Sequence, residues 1–472
     1  MNDRDSARRA RAVRAASALL ALGLATWAFR GSDWIGGEPG FGWTQAALLL
    51  GGGVLGACCF APLEWNARVL LLAAATALTL FAAELGLRLL LSPRYYPPFR
   101  LDARLLYTLV PDARREYQRA AINGADRVLY RINNAGFRGE ELAPGHPATR
   151  ILVYGDSFIQ AEYSELRHTF AERLERRVSG PLGKEVEVVN AGVAGYGPDQ
   201  ILRKMEVELE GLRPDLVLVA LFAGNDFGDL VRNKLYRLDG DGNLRENSFT
   251  ISPWLTRKWE RSRHESILRK IAREAVRPLR GGEPETLDER ASARLSRMES
   301  FLEQSRAEYR EYVVDGDDVV RELLVDPYNA DVSLTPDADS ARYKIELMDR
   351  LVAAMKQLSD ELRIPLALIL VPHPIDVDGH ESAAVDRAKF PDYEPSRLTD
   401  ILARIADRRG IPCLNLFTPF REHGGRTLYF RGADDHWNDL GQDVAAALVA
   451  EFVTSNGLLG ASAHRSPPRP EE

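Results

Sequence analysis

Cysteine is nearly missing from this chain, with three among 472 residues. Cys58 and Cys59 are neighbours in an apolar run and Cys413 lies far downstream, so neither a disulfide framework nor a zinc-binding spacing can be assembled from them. A dominant charge is missing as well. Lys and Arg total 61 against 68 Asp and Glu, a formal net charge of -7, with the two signs interleaved along most of the chain. No general basic field is left to hold a nucleic acid, and DNA and RNA are discounted as partners. The apolar share of 45% is ordinary for a globular protein, and the length allows two or three folded units.

The apolar residues are unevenly spread. The start, "MNDRDSARRARAVR", carries five arginines and leads into "AASALLALGLATWAF". Two further runs follow, "WTQAALLLGGGVLGACCFAPL" at 43–63 and "ARVLLLAAATALTLFAAELGLRLLL" at 67–91. A bilayer core asks for about 20 consecutive apolar residues. The expectation is a membrane anchor over 1–92 with three transmembrane helices at about 14–30, 43–63 and 67–91. A cleaved signal peptide is the rival for the first run, but "TWAFRGSDW" is a poor small-residue cleavage site and two further apolar runs follow, which favours retention. The arginine-rich start should stay in the cytoplasm, so three crossings put everything after about residue 92 outside the cytoplasmic membrane.

Residues 93–149 read as a linker and entry segment ending in the turn-rich "RINNAGFRGEE". From residue 150 to 455, apolar runs ("RILVYGDS", "EVEVVNAG", "PDLVLVALFAGND", "IPLALILVPH", "GIPCLNLF") alternate with amphipathic stretches. Continuous apolar strands separated by helices predict an α/β domain with a doubly wound parallel sheet, whose ligands sit beyond the carboxyl ends of the strands. The charged stretch 231–342 breaks the rhythm and reads as a mostly helical insertion, while 456–472 reads as a disordered tail. Within the insertion, "LDGDGNL" begins like a calcium loop but has Leu244 where glycine is required, so a hairpin turn is expected.

Three strand ends and one late loop carry the chemistry. Ser157 follows β-like "ILVYGD", at the start of a helix where amide donors and the helix dipole suit a nucleophile; a serine there is also a common N-cap. The glycine-rich "NAGVAGYG" (190–197) and "AGND" (223–226) offer Gly195 and Asn225 as oxyanion donors. "RGADDHWNDLG" (431–441) offers His436 as base, with Asp434 or Asp435 as the carboxylate that orients its ring. His373 and His380 in "HPIDVDGH" read as part of a polar loop, and no metal or other cofactor is assigned.

In this order the blocks Gly-Asp-Ser (155–157), Asn-x-Gly-x-x-Gly (190–195), Gly-Asn-Asp (224–226) and Asp-x-His (434–436) resemble an SGNH/GDSL-type hydrolase over roughly 150–455, less the insertion. The resemblance implies Ser157 as nucleophile, His436 as general base, Asp434 as its orienter, and an oxyanion hole from the amides of Ser157 and Gly195 with the Asn225 side chain. Many family members carry the acid three residues before the histidine, where this chain has Ala433, which leaves Asp434 and Asp435 both open. The Asp-x-His-Trp pattern is similar to that of enzymes that acetylate exported polysaccharides. The serine block lacks the last glycine of the Gly-x-Ser-x-Gly elbow, which argues against an ordinary α/β-hydrolase.

The expectation that results is a membrane-anchored serine esterase acting on acyl, foremost acetyl, esters of an envelope glycan or lipid. An O-acetyltransferase of an exported polysaccharide, served by an acyl-donor partner protein, and a catalytically silent SGNH-like scaffold are the alternatives. A Ser157 hydroxyl within hydrogen-bonding reach of His436 separates the enzymes from the scaffold.

Overall fold

The computed structural model describes residues 3–29, 43–95, 98–143, 149–183, 185–276, 287–325, 327–431 and 435–459. The apolar runs from residue 150 onward become strands β1 (Arg150–Tyr154), β2 (Glu187–Asn190), β3 (Leu216–Phe222), β4 (Leu366–Val371) and β5 (Cys413–Asn415). All five are parallel and lie in the order β5-β4-β3-β1-β2. Every residue of β1, β3 and β4 is buried, as a sheet covered on both faces requires. Ile151 and Val153 pack with Leu174 and Val178 of helix Phe170–Leu182 and with Val449 and Val453 of helix Asp439–Ser455. Tyr154, one step further along β1, lies instead beside Glu208 of helix Pro198–Leu212. This is the doubly wound α/β layer expected from the sequence. Its strand order reverses between β1 and β3, and the crevice beyond their carboxyl ends is where such sheets hold ligands.

The chain divides into two compact units, residues 98–256 with 283–472 and residues 1–97 with 257–282. In the first, the strands of two antiparallel hairpins, Phe99–Asp102 with Leu106–Leu109 and Arg114–Gln118 with Arg127–Arg131, precede the sheet. Tyr107 and Tyr130 are fully buried, so this stretch carries core of its own. The "LDGDGNL" stretch closes a third hairpin, in which Asp239 Oδ1 accepts the amides of Asp241 and Asn243 at 3.0 and 2.9 Å.

The second unit holds α1 (Asp3–Phe29), α2 (Trp43–Cys58), α3 (Leu63–Tyr95) and, from the far side of the sequence, α4 (Ile267–Val276). Two segments, Ser6–Phe29 and Leu63–Leu91, are long and apolar enough to cross a membrane. The middle helix has 16 residues, about 24 Å at 1.5 Å per residue, which is shorter than the roughly 30 Å hydrocarbon core. It stops because the chain turns at Cys59–Ala61 and Pro62 opens the next helix, its carbonyl accepting the Trp65 amide at 3.0 Å. α2 lies close against α1: a Cβ on Gly52 would stand 3.1 Å from the Ala21 carbonyl oxygen. Among the described residues, two helices are of spanning length and α2 is shorter.

Candidate active site

β1 delivers Ser157 through a turn that only glycine permits. A Cβ on Gly155 would stand 2.5 Å from Ile159 Cγ1 and 3.2 Å from the Ala220 side chain. Asp156, not Ser157, is the N-cap: its Oδ1 accepts the Phe158 amide at 2.9 Å. That leaves the Ser157 hydroxyl outside the capping role, and the residue is only 8% exposed. The helix it opens differs from expectation. It is one turn, Ser157–Gln160, ended by Ala161 in the left-handed region at φ 51°. A single turn has no cumulative dipole, so what favours charge here is individual amide donors.

The Asn190–Gly197 loop is sewn to that turn. Asn190 Nδ2 donates to the Ile159 carbonyl at 2.7 Å, the Val193 amide to the Gly155 carbonyl at 3.0 Å, and the Gly192 amide to Asn190 Oδ1 at 3.1 Å. The Ala194 amide is taken by Gln160 Oε1. Among the described residues, the Gly195 amide donates to no protein group. Gly195 stands at φ 73°, with the Tyr107 hydroxyl 2.8 Å from where a Cβ would be, while that hydroxyl donates to the Ala194 carbonyl at 2.8 Å.

Asn225 follows β3 and is 3% exposed, at the N-cap of helix Asp226–Asn233. Asp226 Oδ2 turns back to accept the Phe222 amide at 2.8 Å, and the Gly224 carbonyl accepts the Asn329 amide at 2.7 Å. The bend is thus fixed from both sides.

His436 arrives from the loop before helix Asp439–Ser455, anchored where its carbonyl accepts the Phe430 amide at 2.9 Å. Phe158, next to Ser157, is the hub of the convergence. Its ring lies 5.3 Å from the His436 ring, 5.1 Å from Trp437 and 4.4 Å from Phe222, centre to centre. Ser157, His436 and the strand end leading to Asn225 are therefore gathered around one buried phenyl ring, with Gly195 tied to the same turn. Asp434 lies outside the described residues. Asp435 is described, and its Oδ2 sits 3.3 Å from His373 Nε2.

Several neighbours carried no motif. Glu162 faces His436 electrostatically and takes a hydrogen bond from Tyr117; burial pushes its carboxyl above the usual range. Tyr163 packs between Tyr117 and His436, with ring centres at 5.5 and 6.2 Å. Arg119 donates to the Tyr163 carbonyl at 2.7 Å and pairs with Asp439 at 2.8 Å. Arg138, 3% exposed, donates to the carbonyls of Gln160 and Ser164 at 2.6 Å each and to that of Ala161, holding the chain behind the serine turn. The only sequence signal for it was "RINNAGFRGEE", read as a turn. Asp376, buried beneath His373, accepts the Tyr328 and Tyr393 hydroxyls at 3.0 and 2.9 Å, and burial pushes it up to about 6. Among the described residues no group of three or more His, Cys, Asp or Glu is placed to hold a metal ion.

Residues 153–338 match the model of the GDSL-like lipase/acylhydrolase family, and residues 328–467 match that of the SGNH hydrolase-like domain of the acetyltransferase AlgX. No curated protein matches the chain. Among solved structures, the esterase EstA from Pseudoalteromonas sp. is 12% identical over 65% of this chain and 97% of its own, with a TM-score of 0.32. A lipase/acylhydrolase from Enterococcus faecalis is 12% identical over 65% and 96%, with a TM-score of 0.28. A two-domain esterase active on acetylated mannans is 11% identical over 68% of this chain and 53% of its own, with a TM-score of 0.31.

Proposed function

We propose that Ser157 and His436 run acyl-ester chemistry in a protein anchored to the cytoplasmic membrane, a reading supported by the matches of residues 153–338 to the GDSL-like lipase/acylhydrolase family and of residues 328–467 to an SGNH hydrolase-like domain. The observation that carries the residue assignment is the gathering of the serine turn, the His436 ring and the β3 end around Phe158. Ser157 Oγ attacks the ester carbonyl while His436 takes its proton, and the carbonyl oxygen becomes an oxyanion facing the amides of Ser157 and Gly195 and the Asn225 side chain. Collapse expels the alcohol, which takes the proton from His436 and leaves an acyl-serine. A water or a sugar hydroxyl, deprotonated by His436, then attacks the acyl-serine and releases Ser157. Asp434 orients the imidazole in this reading.

The substrate we assign is an acetylated glycan or lipid of the envelope, approached from the outer side of the membrane. The charge-free stretch 43–63 and the arginine-rich amino terminus support three crossings with the domain outside. Transfer to a glycan is the second reading, and the match of residues 328–467 to an acetyltransferase domain favours it. A transferase would draw its acyl group from a partner protein, since an anchor of three helices offers little to carry acetyl across a bilayer.

The test is hydrolysis of p-nitrophenyl acetate and longer esters by the full chain in detergent, beside Ser157→Ala and His436→Ala. Turnover abolished by both substitutions supports the assignment, and a glycan acceptor that captures the acyl group in place of water selects transfer. Equal turnover in wild type and variants, on these esters and on acetylated glycans, overturns it.

A further inference from the structure

α3 is too long for its task as a membrane helix. Its 33 residues measure about 50 Å, some 20 Å more than a hydrocarbon core. Between Arg68 and Arg94 its only charged residues are Glu84 and Arg88, one turn apart. The uncharged run 69–83 measures about 22 Å, most but not all of the hydrocarbon thickness, which sets Glu84 close to its edge.

There the Glu84 carboxylate is fully engaged. Arg88 Nε lies at 2.7 Å, the Ser266 hydroxyl donates at 2.8 Å, and the amides of Ile267 and Leu268 donate at 3.0 and 3.1 Å. Those two amides open α4. A side chain of the membrane helix thus caps a helix nearly two hundred positions later in sequence, neutralising its free donors and pinning it at that level. Ile267 is fully buried and Leu268 and Ile271 are half-buried, whereas Arg257, Lys258 and Arg273 are exposed and Arg269 and Lys270 partly so. Residues 257–276 contain seven Lys and Arg against three Glu, an excess of four positive charges in a chain whose total is -7. Among the described residues, Glu265 answers Arg269, at 3.7 Å, and Arg273. Trp259 adds a residue type suited to the interface.

We propose that residues 257–276 are a lipid-reading surface, held at the headgroup layer by Glu84, whose basic side chains bind the phosphates of anionic phospholipids in the bilayer that α3 enters. Charge complementarity selects this occupant: a basic segment on an acidic chain, docked at the boundary where anionic headgroups lie. The inference does not depend on the ester chemistry.

The experiment is amide hydrogen exchange of the full chain in nanodiscs of phosphatidylcholine alone or mixed with phosphatidylglycerol. Exchange across 257–276 should slow several-fold in the anionic discs, and the gain should vanish at high salt and in the triple variant R269E/K270E/R273E. Inorganic phosphate added to the neutral discs should not reproduce it. E84Q should speed exchange of 267–276 in both discs. The exchange of β1, β3 and β4 reports whether each variant remains folded, and the wild-type comparison decides the matter even if a variant does not. Equal wild-type exchange in the two discs, or protection by phosphate alone, overturns the proposal.

Discussion

Asp435 Oδ2 lies 3.3 Å from His373 Nε2, and the opposite ring nitrogen of His373 accepts the Ile375 amide at 3.2 Å. A nitrogen that accepts an amide carries no proton, so the ring proton sits on Nε2 and points at Asp435. His373 itself lies flush over the β3 end, its Cδ2 2.7 Å from where a Gly224 Cβ would stand. The carboxylate next to His436 is thereby engaged with a histidine that lies against the β3 end.

From this we expect the two adjacent aspartates to behave differently. Asp434→Asn should lower kcat by about three to four orders of magnitude, the cost of losing the carboxylate that orients a catalytic imidazole. Asp435→Asn keeps an acceptor for His373 and should cost less than about tenfold. Steady-state kinetics of the two variants on one ester check this; the reverse ranking would make Asp435 the orienter.

Ser157→Ala and His436→Ala should each abolish turnover, and the double variant should be no worse than either, because the two act as one unit. Asn225→Ala should cost about 100- to 1,000-fold in kcat with little change in KM, the signature of a donor used at the oxyanion. A change confined to KM would place Asn225 in ground-state binding.

Arg138→Met removes the donor to three carbonyls behind the serine turn. Leaving buried acceptors unmet should lower stability by about 3 kcal/mol and lower kcat as the turn loosens. Urea unfolding of the full chain in detergent reads the first effect, and ester hydrolysis the second.

Burial pushes both Asp376 and Asp199 up to about 6. A carboxyl raised in the folded state binds its proton more tightly there than in the unfolded chain. The stability each contributes is full below about pH 4 and is lost as pH rises through about 6, by an amount of the order of 3 kcal/mol per group. Urea midpoints measured between those limits should therefore fall with rising pH, and Asp376→Asn should make that slope shallower. An unchanged slope would show that Asp376 does not titrate in this range.

Reporter fusions test the membrane arrangement. A periplasmic reporter after residue 472 should be active and a cytoplasmic one silent, as three crossings require. The opposite result would mean that α2, with its 16 helical residues, does not cross.

Much of the fold was legible because its signals are local. Apolar strands buried on both faces show up as unbroken hydrophobic runs, and the turn that presents Ser157 demands glycine, so both are written into short segments. The one-turn helix was not legible: what ends it is Ala161 in a left-handed conformation. The shortness of α2 was likewise hidden, since the run 43–63 has the composition of a span and only the turn before Pro62 cuts it.

The sequence by itself determined the order of the four blocks, the parallel sheet that carries three of them, and the apolar helices at the amino terminus. Only the tertiary structure decided that Arg138 and the hairpins before the sheet build the wall behind the serine turn, that Asp435 turns to His373, and that Glu84 caps α4. Each of these is a hydrogen bond or ion pair between residues distant in sequence. Its partners are chosen by where buried donors and acceptors must find one another, and no local pattern records that choice.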